Sequence, residues 1–225
     1  MQKLLTVVLA AAMLVACSGD EGAERTPAEA MNAASLAVLS APSFSFQVSY
    51  VGDPVEVQAG LALDRVDGVF EAPTKSSADV RVKTLGLTAI LEVVTEGDRL
   101  WQKVPFAENF EEVEGGDLIT GTDIFSEDGL GALLREDVSE LAFGGEAELE
   151  EFPGETLQTV TGIVSGERLN TLTLGYLQGT AADVMFYLAG DEVRRIVIDE
   201  TDVELPRSWT IDLWAYGQPV DIVIP

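Results

Sequence analysis

Polar and apolar residues alternate along several stretches of the chain, most regularly over residues 43–50. There Phe44, Phe46, Val48 and Tyr50 are separated by serine and glutamine. Successive side chains of a strand point to opposite faces, so this alternation predicts a strand in a sheet with one apolar and one hydrated face. The same pattern, or strand-forming residues between turn residues, predicts further strands at 55–63, 78–83, 87–95, 99–104, 146–152, 156–164, 182–188, 193–198, 209–215 and 220–224.

Three segments favour helices with one apolar side. Residues 28–40 have high helix propensity between two prolines, because Pro27 suits the first turn of a helix and Pro42 ends it. Ser126 is placed to cap a second helix, whose apolar side consists of Leu130, Leu133 and Leu134. A third helix is predicted over 167–177. These elements predict an α+β protein in which a few helices face an antiparallel sheet.

The first 17 residues have the pattern of a bacterial lipoprotein signal peptide. Lys3 is followed by an apolar run over 4–15, which is too short to span a bilayer as a helix. The run ends in Leu14-Val15-Ala16-Cys17, the order of residues that the lipoprotein signal peptidase recognises. We therefore expect cleavage before Cys17 and lipidation of its thiol, and the alternative is an ordinary secretory signal with an incidental cysteine. Cys17 is the only cysteine in the sequence, so no disulfide can form within the chain.

The sequence predicts three regions along the chain and limits their partners. Residues 1–16 are the signal peptide, residues 17–26 are the lipidated cysteine and a flexible acidic tether, and residues 27–225 form one domain. Hydrophobic residues make up 47% of the chain, which is enough for a core and excludes a disordered protein. The formal net charge of −26 would repel phosphates, so we expect no nucleic-acid partner. Repulsion from anionic lipid headgroups leaves Cys17 as the attachment to the membrane.

The sequence lacks several of the residues and motifs that enzymes use for catalysis. It has no histidine, its one cysteine is assigned to lipidation, and no glycine-rich phosphate-binding loop occurs. Glycosidases use pairs of carboxylates for catalysis, and the sequence has acidic pairs such as Asp199/Glu200 and Glu150/Glu151. In a chain with 39 Asp and Glu residues, however, chance is the better explanation for such neighbouring acids. The acids between residues 117 and 128 lack the spacing of an EF-hand calcium loop. We therefore expect no enzymatic activity, no metal site and no cofactor.

The apolar residues of the predicted sheet and helices allow two arrangements. In the first they fill a hydrophobic core, as most such residues do in any protein. In the second the sheet and helices do not close fully, and they leave a cavity that holds acyl chains.

Landmarks spread over nearly the whole chain resemble the mycobacterial LppX/LprG-type lipoproteins, which are related in fold to the LolA lipoprotein carrier. No single landmark is specific, and the resemblance depends on their order. The landmarks are the lipoprotein cleavage motif at 14–17, the alanine-rich helix before Ser43-Phe44-Ser45-Phe46, the strand pair around residues 93–101, Asp128-Gly129-Leu130-Gly131-Ala132-Leu133-Leu134, Thr159-Val160-Thr161-Gly162-Ile163-Val164, and the closing residues 217–225.

This resemblance implies an α+β fold in which a curved antiparallel sheet, a half-barrel, wraps around helices and encloses a hydrophobic cavity. It also implies a membrane-anchored lipoprotein that binds acylated lipid or glycolipid and carries or presents it in the cell envelope. The expected location is the extracytoplasmic side of the cell membrane. The expected partners are a membrane lipid or glycolipid and an envelope transporter, and the protein is expected to be a monomer.

If a cavity exists, the inward residues of the alternating strands and the apolar side of the second helix should line it. These residues are Phe44, Phe46, Val48, Leu61, Leu63, Leu130, Leu133, Leu134, Val184, Phe186, Leu188, Ile196 and Ile198. Their neighbours Ser45, Gln47 and Asp183 should face water. The alternative function is a non-enzymatic surface lipoprotein that uses the same fold with a filled core, as an interaction or structural protein.

Overall fold

The structure is a computed structural model that describes residues 25–52, 54–58, 60–113, 120–172, 181–200 and 207–225. The predicted signal peptide, Cys17 and most of the predicted tether lie outside these residues. The helices are α1 (Pro27–Ser40), α2 (Gly121–Phe125), α3 (Ala132–Arg135) and α4 (Gly166–Leu172), and a π-helical turn at Glu127–Gly131 lies between α2 and α3. None of the described helices combines the length and the apolar composition needed to cross a membrane.

An antiparallel sheet forms most of the domain. Its strands are β1 (Ser43–Val51), β2 (Glu56–Gln58), β3 (Leu61–Glu71), β4 (Lys75–Thr84), β5 (Leu87–Glu96), β6 (Arg99–Lys103), β7 (Glu111–Glu112), β8 (Val138–Ala147), β9 (Leu157–Ser165), β10 (Ala181–Ala189), β11 (Glu192–Glu200) and β12 (Arg207–Trp214). Within the described residues their order is β7-β6-β5-β4-β3-β1-β12-β11-β10-β9-β8, and β2 pairs with β3. The sheet is curved and not closed, and α1, α2 and α3 lie on its concave face. The predicted fold class is confirmed.

Helix α1 begins where the sequence predicts, because Thr26 and Glu29 cap it reciprocally. The Thr26 hydroxyl accepts a hydrogen bond from the Glu29 N–H, and the Glu29 carboxylate accepts one from the Thr26 N–H at 2.8 Å. Burial of Ala30, Met31 and Val38 then fixes the helix against the sheet.

The sharp change of direction between α2 and α3 requires a glycine. Gly129 has ψ near −114°, and a Cβ at this position would lie 2.2 Å from the Asp123 carbonyl oxygen and 2.4 Å from that of Ile124. As predicted, the Ser126 side chain caps the next turn, where it accepts a hydrogen bond from the Gly129 N–H. The kink sends the second helical segment back across the sheet.

Three predicted strands are wrong, each for a local reason. The strand predicted over 55–63 is divided at Gly60, whose φ of 76° makes a turn, so that β2 pairs back onto β3. The strand predicted at 146–152 lies instead at β8, where two irregularities in the pairing with β9 break the alternation of side chains. Residues 220–224 form no strand, but their alternation buries Ile222 against Val94 and Trp101 on the convex face. Of the helix predicted at 167–177, the described part is α4, and the remaining residues are not described.

Candidate functional site

An aromatic cluster covers the concave face near the beginning of β1. It consists of Phe44, Phe46, Phe70, Phe125 and Tyr216. Phe125, from α2, places its ring 4.9 Å from Phe44, 4.8 Å from Phe46 and 5.3 Å from Phe70, measured between ring centroids. All four phenylalanines are buried. Gly68 makes room for this packing, since a Cβ there would lie 2.4 Å from the Phe46 ring. The helices therefore fill this half of the concave face with protein side chains.

The next row of side chains across the sheet is covered less completely. Val48 of β1 lies opposite Ile211 of β12 on one side and Val66 of β3 on the other, and Val66 lies opposite Val80 of β4. All four are only partly buried, although each packs against the main core. We call these four residues the concave strip. It crosses four strands, or about 14 Å, because neighbouring strands lie about 4.8 Å apart.

At one end of the concave strip the face becomes polar. Tyr50 and Trp209 lie opposite each other on β1 and β12, and their ring centroids are 5.2 Å apart. The Tyr50 hydroxyl donates to the Leu63 carbonyl oxygen at 2.7 Å and accepts from the Val55 N–H. The Trp209 indole N–H is buried and has no hydrogen-bond partner within the part of the chain that the structure describes. Beyond Trp209, the Arg207 guanidinium lies 3.9 Å from the buried Glu200 carboxylate.

The structure brings most of the predicted cavity residues together in one buried core. That core contains Phe44, Phe46, Leu63, Leu130, Leu133, Leu134, Val184, Phe186, Leu188, Ile196 and Ile198. Val48 packs against this core from the concave strip and stays partly exposed, whereas Leu61 lies at the start of β3 and is not part of the core. Asp183 is exposed and Gln47 bonds to Asp67 on the convex face, so the sides of the sheet are placed as the alternation predicts. A cavity-lining role for these residues remains a prediction.

Sequence reasoning missed Val66, Val80, Ile211 and Trp209 as residues of the site. Each lies in or beside a predicted strand, and three of them are β-branched. Alternation alone gives the face of a residue but not which rows the helices cover. The available signal was that Val48, which was predicted, must have neighbours on the two adjoining strands.

The convex face has opposite chemistry, because charged pairs occupy it. Arg195 donates to the nearly buried Asp212 at 2.6 and 2.9 Å and also pairs with Glu151 at 2.9 Å. The hydrogen bond to Asp212 raises the pKa of Arg195, and the hydrogen bond from Arg195 lowers the pKa of Glu151. Nearby, Arg65 pairs with Asp67 at 2.8 Å. The sheet therefore separates a hydrated, charged side from an apolar one.

A shallow cavity of about 300 Å³ lies on the convex face between β8 and β11. Its lining includes Glu140, Asp183 and Asp199 beside Ile163 and Met185. Among the described residues, no group of three or more acids or cysteines is arranged to hold a metal ion. Three acidic residues line this shallow cavity, so it is a poor candidate for binding acyl chains.

An open antiparallel sheet with helices on its apolar concave face is the fold of the LppX/LprG-type lipoproteins, and the resemblance in the sequence is confirmed at the level of fold. One similar solved structure is LprF from Mycobacterium bovis, with a TM-score of 0.68 and 16% identity over 88% of this chain and 96% of that one. Another is the Mycobacterium tuberculosis lipoprotein LppX, with a TM-score of 0.63 and 15% identity over 88% of this chain and 98% of that one. Comparison with protein-family models and with curated protein sequences gives no match.

Proposed function

We propose that this protein is a non-enzymatic, membrane-anchored lipoprotein that binds an acylated lipid or glycolipid on the concave face and carries or presents it in the cell envelope. The observation that carries the proposal is the concave strip. Four branched apolar side chains from four neighbouring strands lie in one row and remain partly exposed, on the face that otherwise forms the core. A continuous apolar surface of this kind is typical of a binding site.

The dimensions and chemistry of the concave strip suit an acyl chain. An acyl chain laid along the row would exchange water for contact with Val48, Val66, Val80 and Ile211. Each methylene removed from water contributes about 0.8 kcal/mol, so a chain of ordinary length would gain several kcal/mol before the cost of ordering it. The aromatic cluster borders the strip on one side, because Phe46 precedes Val48 on the same face of β1.

The attachment to the membrane follows from the sequence. We propose that Cys17 is lipidated after cleavage and holds the domain on the extracytoplasmic side of the cell membrane. We further propose that the domain acts as a monomer and exchanges lipid with an envelope transporter. The similarity in fold to the Mycobacterium tuberculosis lipoprotein LppX supports this location.

A second function has its own supporting observation. Eleven of the thirteen predicted cavity residues belong to the buried core, and Leu133, Leu134 and Phe186 are at most 2% exposed. Such packing suits an interaction or structural lipoprotein with a filled core. The two functions differ in what the concave strip binds.

Replacing Val48 by tryptophan tests the proposal. In the mature chain carrying Cys17→Ser, we expect Val48→Trp to reduce binding of radiolabelled dioleoylglycerol about tenfold or more, because the indole would occupy the space proposed for the chain. We expect the melting temperature of the lipid-free protein to change little, since Val48 is partly exposed.

The matched control for this variant is Val197→Trp. Val197 is also a partly exposed valine within the sheet, but it lies opposite Met185 and Thr210 on the convex face. We expect this variant to bind lipid as the wild type does. Equal binding by both variants and the wild type would refute the proposed site. A large loss of stability in Val48→Trp, with no lipid bound by the wild type, would favour the filled core.

A further inference from the structure

A buried hydrogen-bond donor without a partner lies at the end of the concave strip. Trp209 is 8% exposed, and its indole N–H makes no hydrogen bond to any of the described residues. Buried polar groups in folded proteins are nearly always paired, because an unpaired one loses its hydration without compensation. The adjacent Tyr50 follows this rule, since its hydroxyl both donates and accepts. The indole N–H of Trp209 does not follow it.

The chemistry of the indole specifies what would satisfy it. The group is a donor only, so its partner must be a hydrogen-bond acceptor. The partner must also lie in apolar surroundings, because Trp209 packs in the main core beside Ile198 and Ile211. An uncharged carbonyl oxygen that is attached to a hydrocarbon chain fits both conditions. An ester or amide carbonyl of an acylated lipid is such a group.

The position of Trp209 agrees with this chemistry. On one side of Trp209 lies the concave strip, which is apolar. On the other side lie Arg207 and the buried Glu200, which are charged. In an acylated lipid, the carbonyl lies between the hydrocarbon chain and the polar head. A chain on the concave strip would therefore place its carbonyl near Trp209 and its head toward Arg207 and Glu200.

We infer that Trp209 is a ligand-binding residue whose indole N–H donates a hydrogen bond to the ester or amide carbonyl oxygen of the bound acyl chain. This inference rests on the proposed lipid-binding function and adds to it both the orientation of the ligand and the chemical class of its linkage. It also explains why a tryptophan occupies a place where phenylalanine would bury a similar ring without an unpaired donor.

Replacing Trp209 by phenylalanine removes the N–H and keeps an aromatic ring beside Tyr50. The test compares two probes, methyl oleate, which has an ester carbonyl, and 9-octadecene, which has no acceptor. Using the mature chain with Cys17→Ser, we expect Trp209→Phe to weaken binding of methyl oleate roughly 5- to 100-fold, the range expected when the buried carbonyl acceptor is left unpaired. Binding of 9-octadecene should stay within about twofold, because the hydrocarbon makes no hydrogen bond.

Two further readouts separate a hydrogen-bonding role from a packing role. The melting temperature of the lipid-free Trp209→Phe protein measures the packing that the smaller ring loses, and this loss of packing should weaken binding of both probes alike. In heteronuclear NMR spectra, the indole N–H signal of Trp209 should move downfield with methyl oleate and not with 9-octadecene. Trp101 and Trp214, the other two tryptophans, lie on the convex side and serve as internal references.

The outcomes distinguish a failure of this inference from a failure of the proposed lipid-binding function. Equal weakening for both probes would mean that Trp209 acts by packing alone, and the inference would be overturned while lipid binding stands. An indole N–H signal of Trp209 that does not move when methyl oleate is added would overturn the inference too. If the wild type binds neither probe, the proposed function itself fails and the inference with it.

Discussion

Replacing Phe44 by alanine is expected to lower the free energy of unfolding by about 3–5 kcal/mol. Phe44 is fully buried, and its ring lies 4.9 Å from Phe125, 5.2 Å from Phe70 and 5.7 Å from Tyr216, measured between centroids. Three rings from three other segments would lose their common neighbour, and a cavity would remain because α2 and the sheet cannot both move inward. Urea unfolding, followed by circular dichroism, measures the change.

The matched control is Phe106→Ala, since Phe106 is fully exposed. This variant should unfold within about 0.5 kcal/mol of the wild type. If the free energy of unfolding of Phe44→Ala also lies within about 1 kcal/mol of the wild-type value, the aromatic cluster does not stabilise the concave face near the beginning of β1. The account of the fold would then be wrong.

Replacing Cys17 by alanine is expected to abolish stable attachment of the protein to the membrane. Without the thiol no diacylglycerol can be transferred, and the lipoprotein peptidase should leave the precursor uncleaved. Two or three acyl chains contribute about 0.8 kcal/mol per buried methylene, so their loss removes the whole anchoring energy. Labelling of cells with radioactive palmitate measures lipidation, and fractionation of the labelled cells measures attachment to the membrane.

Ser18→Ala is the matched control for this experiment, because it changes the neighbouring residue and keeps the thiol. It should be labelled and retained as the wild type is. Globomycin, which inhibits the lipoprotein peptidase, should cause the wild-type precursor to accumulate. Normal processing in its presence, or palmitate labelling of Cys17→Ala, would contradict the proposed anchor.

The sequence predicts those parts of the fold where local signals agree with tertiary packing. The strict alternation over 43–50 gives β1 and its faces, and Thr26, Pro27 and Glu29 give the start of α1. The turn across Gly97 is equally clear, since Glu96-Gly97-Asp98 separates two strand-forming runs. At these places the residues that favour an element locally are also those that pack in the domain.

Elsewhere tertiary structure overrides the local pattern. Residues 55–63 alternate without interruption, yet the conformation of Gly60 divides them between two strands. Residues 220–224 alternate because Ile222 is buried against a neighbouring part of the sheet, not because they pair. Irregular pairing in β8 has the reverse effect, since it hides a real strand from the period of two.

The candidate site could be predicted only in part for a similar reason. Val48 was identified because it belongs to a regular strand. Val66 and Val80 belong to the same surface only because β3 and β4 pair next to β1, and this register is not visible in the sequence. Whether a row is covered depends on where α2 and α3 end. The unpaired state of the Trp209 N–H is likewise a property of its surroundings and not of its sequence neighbours.

The two faces of the sheet give the net charge of −26 a structural context. The arginines at 65 and 195 pair with acids on the convex face, where water and ions can reach the remaining carboxylates. On the concave face, the strip itself carries no charge. Hydration of the domain and binding of an apolar ligand can therefore coexist on opposite sides of one sheet.

The most direct test of lipid binding is mass spectrometry of an organic extract from the mature protein, purified without its anchor from cells that make envelope lipids. We expect an acylated lipid in near-stoichiometric amount from the wild type and from Val197→Trp, and much less from Val48→Trp. An extract of the folded wild type that contains no acylated lipid above the level of Val48→Trp would contradict the account.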